Sequence, residues 1–239
     1  MVKNLCIVQA RLTSTRLPNK ILRQLGNSGK SILEHVYERL NTADKVDKVV
    51  FAIPDTVSND PLSRFLDEKG FEYVRGDEEN VLSRFKLATD KYQPEVIIRA
   101  TCDNPFVDWK LVDMKIEALS GNDYVKCSGA PLGTSDEVFR FSALQEAFNH
   151  AVTPAEQEHV TPYIYMNPDK FKIVTVPYYM EVKHPYRLTV DTPEDFNVAN
   201  IIYEQLYSGT PIPNIDVYDF LEMHPEVMAM NSNIEQKKL

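Results

Sequence analysis

The sequence predicts an α/β fold: a doubly wound, mostly parallel sheet with helices on both faces, joined by a smaller lobe over approximately 126–186. Two observations lead there. Through the first half, short apolar runs of strand length alternate with segments of helical period, and the connections between them are short. Such a βαβα order needs crossover helices, which cover both faces of a parallel sheet. The chain has 239 residues, 43% of them hydrophobic, which suits one large domain over 1–239.

The elements follow in order. Leu5-Cys6-Ile7-Val8 is a first buried strand, apolar throughout, as a strand covered on both faces should be. Ser31-Ile32-Leu33-Glu34 has the form of a capping box, and Ile32, Leu33, Val36 and Leu40 recur on one helical face. Val49-Val50-Phe51-Ala52-Ile53 is a second strand, and Asp60-Pro61 opens a helix with proline in its first turn. Phe71-Glu72-Tyr73-Val74 is a third strand. Val81, Phe85 and Ala88 mark the next helix, and Val96-Ile97-Ile98 is a fourth strand. The second half is less regular. Strands are expected at Asp123-Tyr124-Val125, Val138-Phe139-Arg140-Phe141, 171–176 and Leu188-Thr189-Val190. Helices are expected around 143–150 and between Pro154 and Met166, the latter bent near Pro162. A helix runs from Pro193 to about Tyr207, and one more short helix is expected within 212–233.

The formal net charge of −9 argues against a nucleic-acid surface, which needs clustered basic residues to replace counterions. It also repels any polyanionic ligand, so a nucleotide site would need local cations and a metal ion. Cys6, Cys102 and Cys127 are too few and too scattered for a disulfide framework or a zinc site. No run approaches the roughly 20 apolar residues of a membrane span, and the first residues lack the apolar segment of a secretion signal. The expectation is a cytoplasmic protein with neither nucleic acid nor membrane as a partner.

The stretch from Gln9 to Lys20, QARLTSTRLPNK, is a local exception to that charge. It follows the first strand directly and offers the Ser14 and Thr15 hydroxyls, backbone N–H groups and the cations Arg11, Arg16 and Lys20 to a polyphosphate. Ligands of open parallel sheets bind beyond the carboxyl ends of the strands, where strand order reverses. Asp103 follows the fourth strand and Asp191 follows Leu188–Val190, so parallel strands would bring both carboxylates and the loop to one edge. Each piece also has a plain structural reading. The loop can be a solvated basic turn, and Asp103-Asn104-Pro105 an ordinary turn. Thr192-Pro193-Glu194-Asp195 is a good helix start, which leaves Asp191 unexplained.

The loop resembles the A-R-x-x-S-T-R-L-P-x-K signature of cytidylyltransferases that activate acidic sugars, including ulosonate and nonulosonate CMP-sugar synthetases. The resemblance is strongest to the branch of the spore-coat polysaccharide protein SpsF. Further matches are Arg75-Gly76-Asp77-Glu78-Glu79-Asn80-Val81-Leu82, Thr101-Cys102-Asp103-Asn104-Pro105, Asp136-Glu137-Val138-Phe139, Glu158-His159-Val160-Thr161-Pro162-Tyr163 and the segment from Arg187 to Phe196.

The resemblance implies a Rossmann-like nucleotidyltransferase core that uses CTP and Mg²⁺, transfers CMP to an acidic sugar for surface or spore-coat polysaccharide, and releases pyrophosphate. It assigns Asp103 and Asp191 to the metal, and Arg16 and Lys20 to the outer phosphates, with Arg11 as a further phosphate contact. The pyrimidine would be read by the main chain near Gln9-Ala10-Arg11, with Arg75 and Arg99 as neighbouring candidates or, alternatively, members of structural ion pairs. Asp136, Glu137, Glu158, His159 and Arg187 are the candidates for the acceptor. The lobe would serve a homodimer, because it carries apolar residues such as Val138, Phe139, Tyr163 and Tyr179. Thr13 and Asn19 stand where relatives often carry glycine. Asn19 tolerates a left-handed backbone, whereas Thr13 needs ordinary dihedrals. Two other functions fit the same residues: a nucleotide-sugar-dependent glycosyltransferase, or a catalytically dead nucleotide-binding subunit.

Overall fold

The four apolar runs of the first half become β1 (Asn4–Gln9), β2 (Lys48–Pro54), β3 (Tyr73–Gly76) and β4 (Val96–Thr101), all mutually parallel. The computed structural model describes residues 2–236. Three further strands, β5 (Tyr124–Ser128), β6 (Glu137–Arg140) and β7 (Ile173–Pro177), complete one seven-stranded sheet of order β3-β2-β1-β4-β6-β5-β7. Only β6 runs antiparallel to its neighbours. The helices are α1 (Ile32–Leu40), α2 (Asp60–Lys69), α3 (Val81–Tyr92), α4 (Trp109–Ala118), α5 (Phe141–His150), α6 (Pro154–His159), α7 (Pro162–Tyr165), α8 (Pro193–Leu206), α9 (Asn214–Met223) and α10 (Pro225–Ala229).

Strand alternation divides the core in two. Cys6 and Val8 of β1 and Phe51 of β2 face a cluster with α1, α2, α8 and α9. Leu5, Ile7 and Val50 face the opposite way, against α3, α5 and α7. Capping sets the helix starts: Ser31 and Glu34 form the reciprocal capping box of α1, and Gly70 ends α2 in the left-handed conformation.

Several expectations are corrected. The region over 126–186 is not a separate lobe, because β6 pairs directly onto β4, β5 and β7 continue the same sheet, and helices α5 and α7 join the second core cluster. Val138, Phe139 and Tyr163 are therefore buried in the chain's own core, and the apolar surface on which the homodimer was argued is largely consumed there. Leu188–Val190 is no strand of the sheet. β4 is already paired on both sides, so this segment lies beyond its end, held by Leu188 N–H donating to the Leu132 carbonyl and Val190 N–H to that of Asp103, both at 2.8 Å. The tail holds two helices, α9 and α10, and α4 was not anticipated.

Strand order reverses between β1 and β4, with β2 and β3 to one side and the later strands to the other. The Cys102 N–H donates to the Gln9 carbonyl across that point, which places the Gln9–Lys20 loop beside Asp103. The Asp191 segment is seated there by Gly133, whose φ of +91° would strain any side chain. A Cβ at Gly133 would meet Thr189 N at 2.3 Å and the Leu188 carbonyl carbon at 2.5 Å, both backbone atoms that cannot turn aside. Gly133→Ala is therefore expected to cost about 2 kcal/mol or more, through overpacking and a disallowed φ. Thermal denaturation should show a fall of about 4 °C or more; an unchanged midpoint would mean that the segment yields freely.

Candidate functional site

The loop after β1 is anchored rather than free. Leu12 and Leu17 are buried, Leu12 N–H donates to Asn59 Oδ1 at 2.9 Å, and Asn19 N–H closes back on the Leu12 carbonyl at 3.2 Å. Asn19 takes the left-handed conformation at φ 56°, whereas Thr13 keeps a negative φ and donates its hydroxyl to Glu78 Oε1 at 2.6 Å. That closure delivers Lys20 into a buried 3₁₀ turn, Lys20–Leu22.

The Lys20 ammonium then lies between both carboxylates, 3.0 Å from Asp103 Oδ2 and 2.9 Å from Asp191 Oδ1. Asp191 Oδ2 also meets Arg16 at 3.1 Å and Arg187 at 3.2 Å. Burial alone would lower the Lys20 ammonium, but Asp103 and Asp191 outweigh it and hold its pKa above the usual lysine range. For Asp191, burial raises the carboxyl, and Lys20, Arg16 and Arg187 together pull it below the usual carboxylate range. The Asp191 backbone is fixed by the capping of α8: Asp195 Oδ2 accepts from the N–H groups of Asp191 and Thr192, and Asp195 in turn holds Arg187 at 2.8 Å.

Arg16, Lys20, Asp103 and Asp191 line a cleft of about 450 Å³ at the carboxyl edge of the sheet. The loop contributes Gln9, Ala10, Arg11, Ser14, Thr15 and Arg16, with Lys20, Asp103 and Asp191 at one end. Arg99, Glu158 and His159 form another wall, where Arg11 and Glu158 lie 3.7 Å apart, too exposed to matter much for stability. Burial lowers the His159 imidazole below its ordinary range, which favours the neutral ring.

Four candidates do not line the cleft. Arg75 is spent on ion pairs with Asp55 at 3.1 Å and Asp60 at 2.7 Å beside the start of α2. Asp136 is wholly buried against Lys115 of α4, so it is no acceptor contact. Glu137 lies beneath the wall, bonded to Arg99, Tyr124 and Thr161. Arg187 supports Asp191 from behind. Conversely, Arg84 lines the cleft and was missed. It is buried on α3 with its guanidinium donating to the Asp77 and Glu78 carbonyls, and burial, reinforced by Arg11, lowers its pKa to about 10. An arginine one turn after Val81, on the apolar face of that helix, was the available signal.

The family profile described as Cytidylyltransferase matches residues 5–229. The spore coat polysaccharide biosynthesis protein SpsF of Bacillus subtilis is 36% identical over 93% of this chain and 95% of its own. A 3-deoxy-manno-octulosonate cytidylyltransferase of Geobacter sulfurreducens is 31% identical over 50% of this chain and 46% of its own. The structure of a cytidylyltransferase from Leptospira borgpetersenii superposes with a TM-score of 0.87 at 27% identity, covering 99% of this chain and 100% of that one.

The ion cluster has a stability signature. Asp191→Asn takes a carboxylate from Lys20 and Arg187, which keep Asp103 and Asp195, and from the partly exposed Arg16, and is expected to cost about 2 kcal/mol, the scale of lost hydrogen bonds to charged groups. Asp103, more exposed and paired among the described residues with Lys20 alone, should cost less as Asn. Because the folded Asp191 pKa is lowered, its stabilisation is full above the unfolded value of about 3.9 and is lost as pH falls through the folded value. The Lys20 contribution is full below about 10.4 and is lost as pH rises through its raised folded value. Denaturant titrations of wild type and Asp191→Asn should therefore differ by a constant amount across the neutral range and converge in acid. A gap that persists in acid after the Asp191 carboxyl has protonated would contradict this assignment.

Proposed function

The chain belongs to the cytidylyltransferase family, which makes it a nucleotidyltransferase, and from that premise we propose that it transfers CMP from CTP to an acidic sugar and releases pyrophosphate. The observation that carries this reading is the Lys20 ammonium seated between Asp103 and Asp191 with Arg16 alongside, at the point where strand order reverses. A hydroxyl of the acceptor attacks the α-phosphorus; the new O–P bond forms as the bond to the β-phosphate oxygen breaks, and the electron pair leaves with pyrophosphate. Chemistry of this kind rests on in-line positioning and charge neutralisation.

Arg16 and Lys20, which line the cleft, would hold the outer phosphates and the departing pyrophosphate, and Ser14, Thr15 and the loop backbone would orient the chain of phosphates. The main chain of Gln9–Arg11 sits at the head of the loop, where it would meet the base. The two carboxylates fit Mg²⁺, since both already direct an oxygen at one cation, and among the described residues no group of three or more His, Cys, Asp and Glu converges as a cage. One or two carboxylates completed by phosphate oxygens and water is the set this ion prefers. Bound at Asp103 and Asp191, Mg²⁺ would supply neutralisation of phosphate charge and a more acidic acceptor hydroxyl. Asp103→Asn and Asp191→Asn should each abolish turnover, and wild-type activity should vanish in chelator.

An acidic acceptor is supported by the name of the octulosonate-specific relative, and a role in surface polysaccharide by that of SpsF. A homodimer using the β7 edge and the exposed Tyr179 belongs to the same proposal; a light-scattering mass near 27.4 kDa would overturn it. Incubation of acidic sugars with each nucleoside triphosphate should release pyrophosphate with CTP, and no release with any pair would overturn the reading. Arg16→Ala should weaken CTP binding about 10- to 100-fold, since a charge-assisted contact to an outer phosphate is lost. CMP binding should change little by calorimetry. Equal losses for both nucleotides would place Arg16 away from the outer phosphates.

A further inference from the structure

Val160, between α6 and α7, is the one β-branched residue at positive φ among the described residues, at φ 69° and ψ −51°. The Thr161 N–H donates to the His159 carbonyl at 2.8 Å, which closes a three-residue γ-turn of the rare, strained hand. Strain of this kind persists only where the surroundings over-determine it. Here they do: Val160 is wholly buried in the second core cluster, and Pro162 starts α7 directly after the turn.

Both arms of the turn lead to the same wall of the cleft. On one side, Glu158 and His159 line it directly. On the other, the Thr161 hydroxyl, itself buried, lies 2.8 and 3.0 Å from the two Glu137 carboxylate oxygens. Glu137 pairs with Arg99, and Arg99 Nε donates to Gln9 Oε1 at 3.1 Å, so this guanidinium is fixed where it too lines the cleft. A relaxed Val160 would rotate the peptide planes on either side of it, turning His159 away and removing the Thr161 hydroxyl from Glu137.

We propose that the His159–Val160–Thr161 turn positions the acceptor wall, presenting Glu158 and His159 to sugar hydroxyls and, through Thr161 and Glu137, aiming Arg99 at the acceptor's acidic group in place of the pyrimidine role first expected of it. This rests on the reading of the protein as a transferase to an acidic sugar. Val160, Thr161 and Glu137 are then positioning residues, since they act through His159 and Arg99.

The test is Thr161→Val, which keeps shape and removes the hydroxyl, with Thr161→Ser as the conservative control, and Val160→Ala, which keeps the strain of a Cβ at positive φ and removes the buried methyls that hold it. Thr161→Val and Val160→Ala should each raise the acceptor KM about tenfold or more and leave the CTP Kd within twofold, while Thr161→Ser stays near wild type. The His159 ring resonance, identified among the five histidines by its loss in His159→Gln, should shift in Thr161→Val and Val160→Ala and hold in Thr161→Ser. An unchanged acceptor KM, or a His159 resonance unmoved in folded Thr161→Val and Val160→Ala, would overturn the proposal. If wild type turns over no acidic sugar, the proposed function fails by itself, and the resonance still decides whether the turn positions His159.

Discussion

Lys20 reaches the carboxyl edge of the sheet from a loop closed on itself, and its ammonium is nearly removed from water between two carboxylates that come from residues 83 and 171 positions away. Burying an isolated ammonium costs several kcal/mol, so this arrangement exists only if both partners arrive with good geometry. Each partner is therefore held by something else. Asp103 is set by the end of β4, and its carbonyl accepts from Val190. Asp191 is set by the N-terminus of α8, by Arg187 and by the backbone crossing at Gly133. The strand order, the capping box and the glycine are all conditions for one buried cation.

That dependence explains why three segments distant in the chain form one site. The reversal of strand order leaves a gap beyond β1 and β4, which the loop and the 187–191 segment fill from opposite sides. Asp195 then has two roles that cannot be separated: it completes the capping box of α8 and it holds Arg187 against Asp191. A helix start and the carboxylate that pairs with Lys20 are here one structure, so the capping of 192–195 and the placement of Asp191 depend on each other.

Much of this was legible in the sequence, for physical reasons that also mark where legibility ends. β1 to β4, the α1 capping box and the proline starts of α2 and α8 are local signals, and the structure has all of them. α4 was hidden because its buried face reads Leu111, Val112 and Lys115, a lysine breaking the apolar period. That same lysine is the partner of Asp136, so the pair was invisible from either side: one member looked like a surface helix residue and the other like a ligand contact. Arg75 and Arg99 look alike in sequence, each near the end of a strand. Their fates differ because β3 is an edge strand two positions from the reversal, whereas β4 borders it. No local pattern carries that distinction; it belongs to the topology.

The charge balance of the site bears on how an acidic protein can receive a polyanion. The cluster of Lys20, Arg16 and Arg187 with Asp103, Asp191 and Asp195 holds three positive and three negative groups, so it is neutral as folded. Its cations are already engaged, and the chain as a whole carries −9. A triphosphate that engaged Arg16 and Lys20 alone would add its full negative charge beside Asp103 without its lysine and Asp191 with Arg187 as its remaining cation, which the low dielectric of a cleft makes costly. A divalent cation arriving with the nucleotide would offset part of that charge if it took the two aspartate oxygens that Lys20 now satisfies. Under the proposed function the neutral cluster is thus a reason for nucleotide and metal to bind together, with the lysine holding both carboxylates in place until they do.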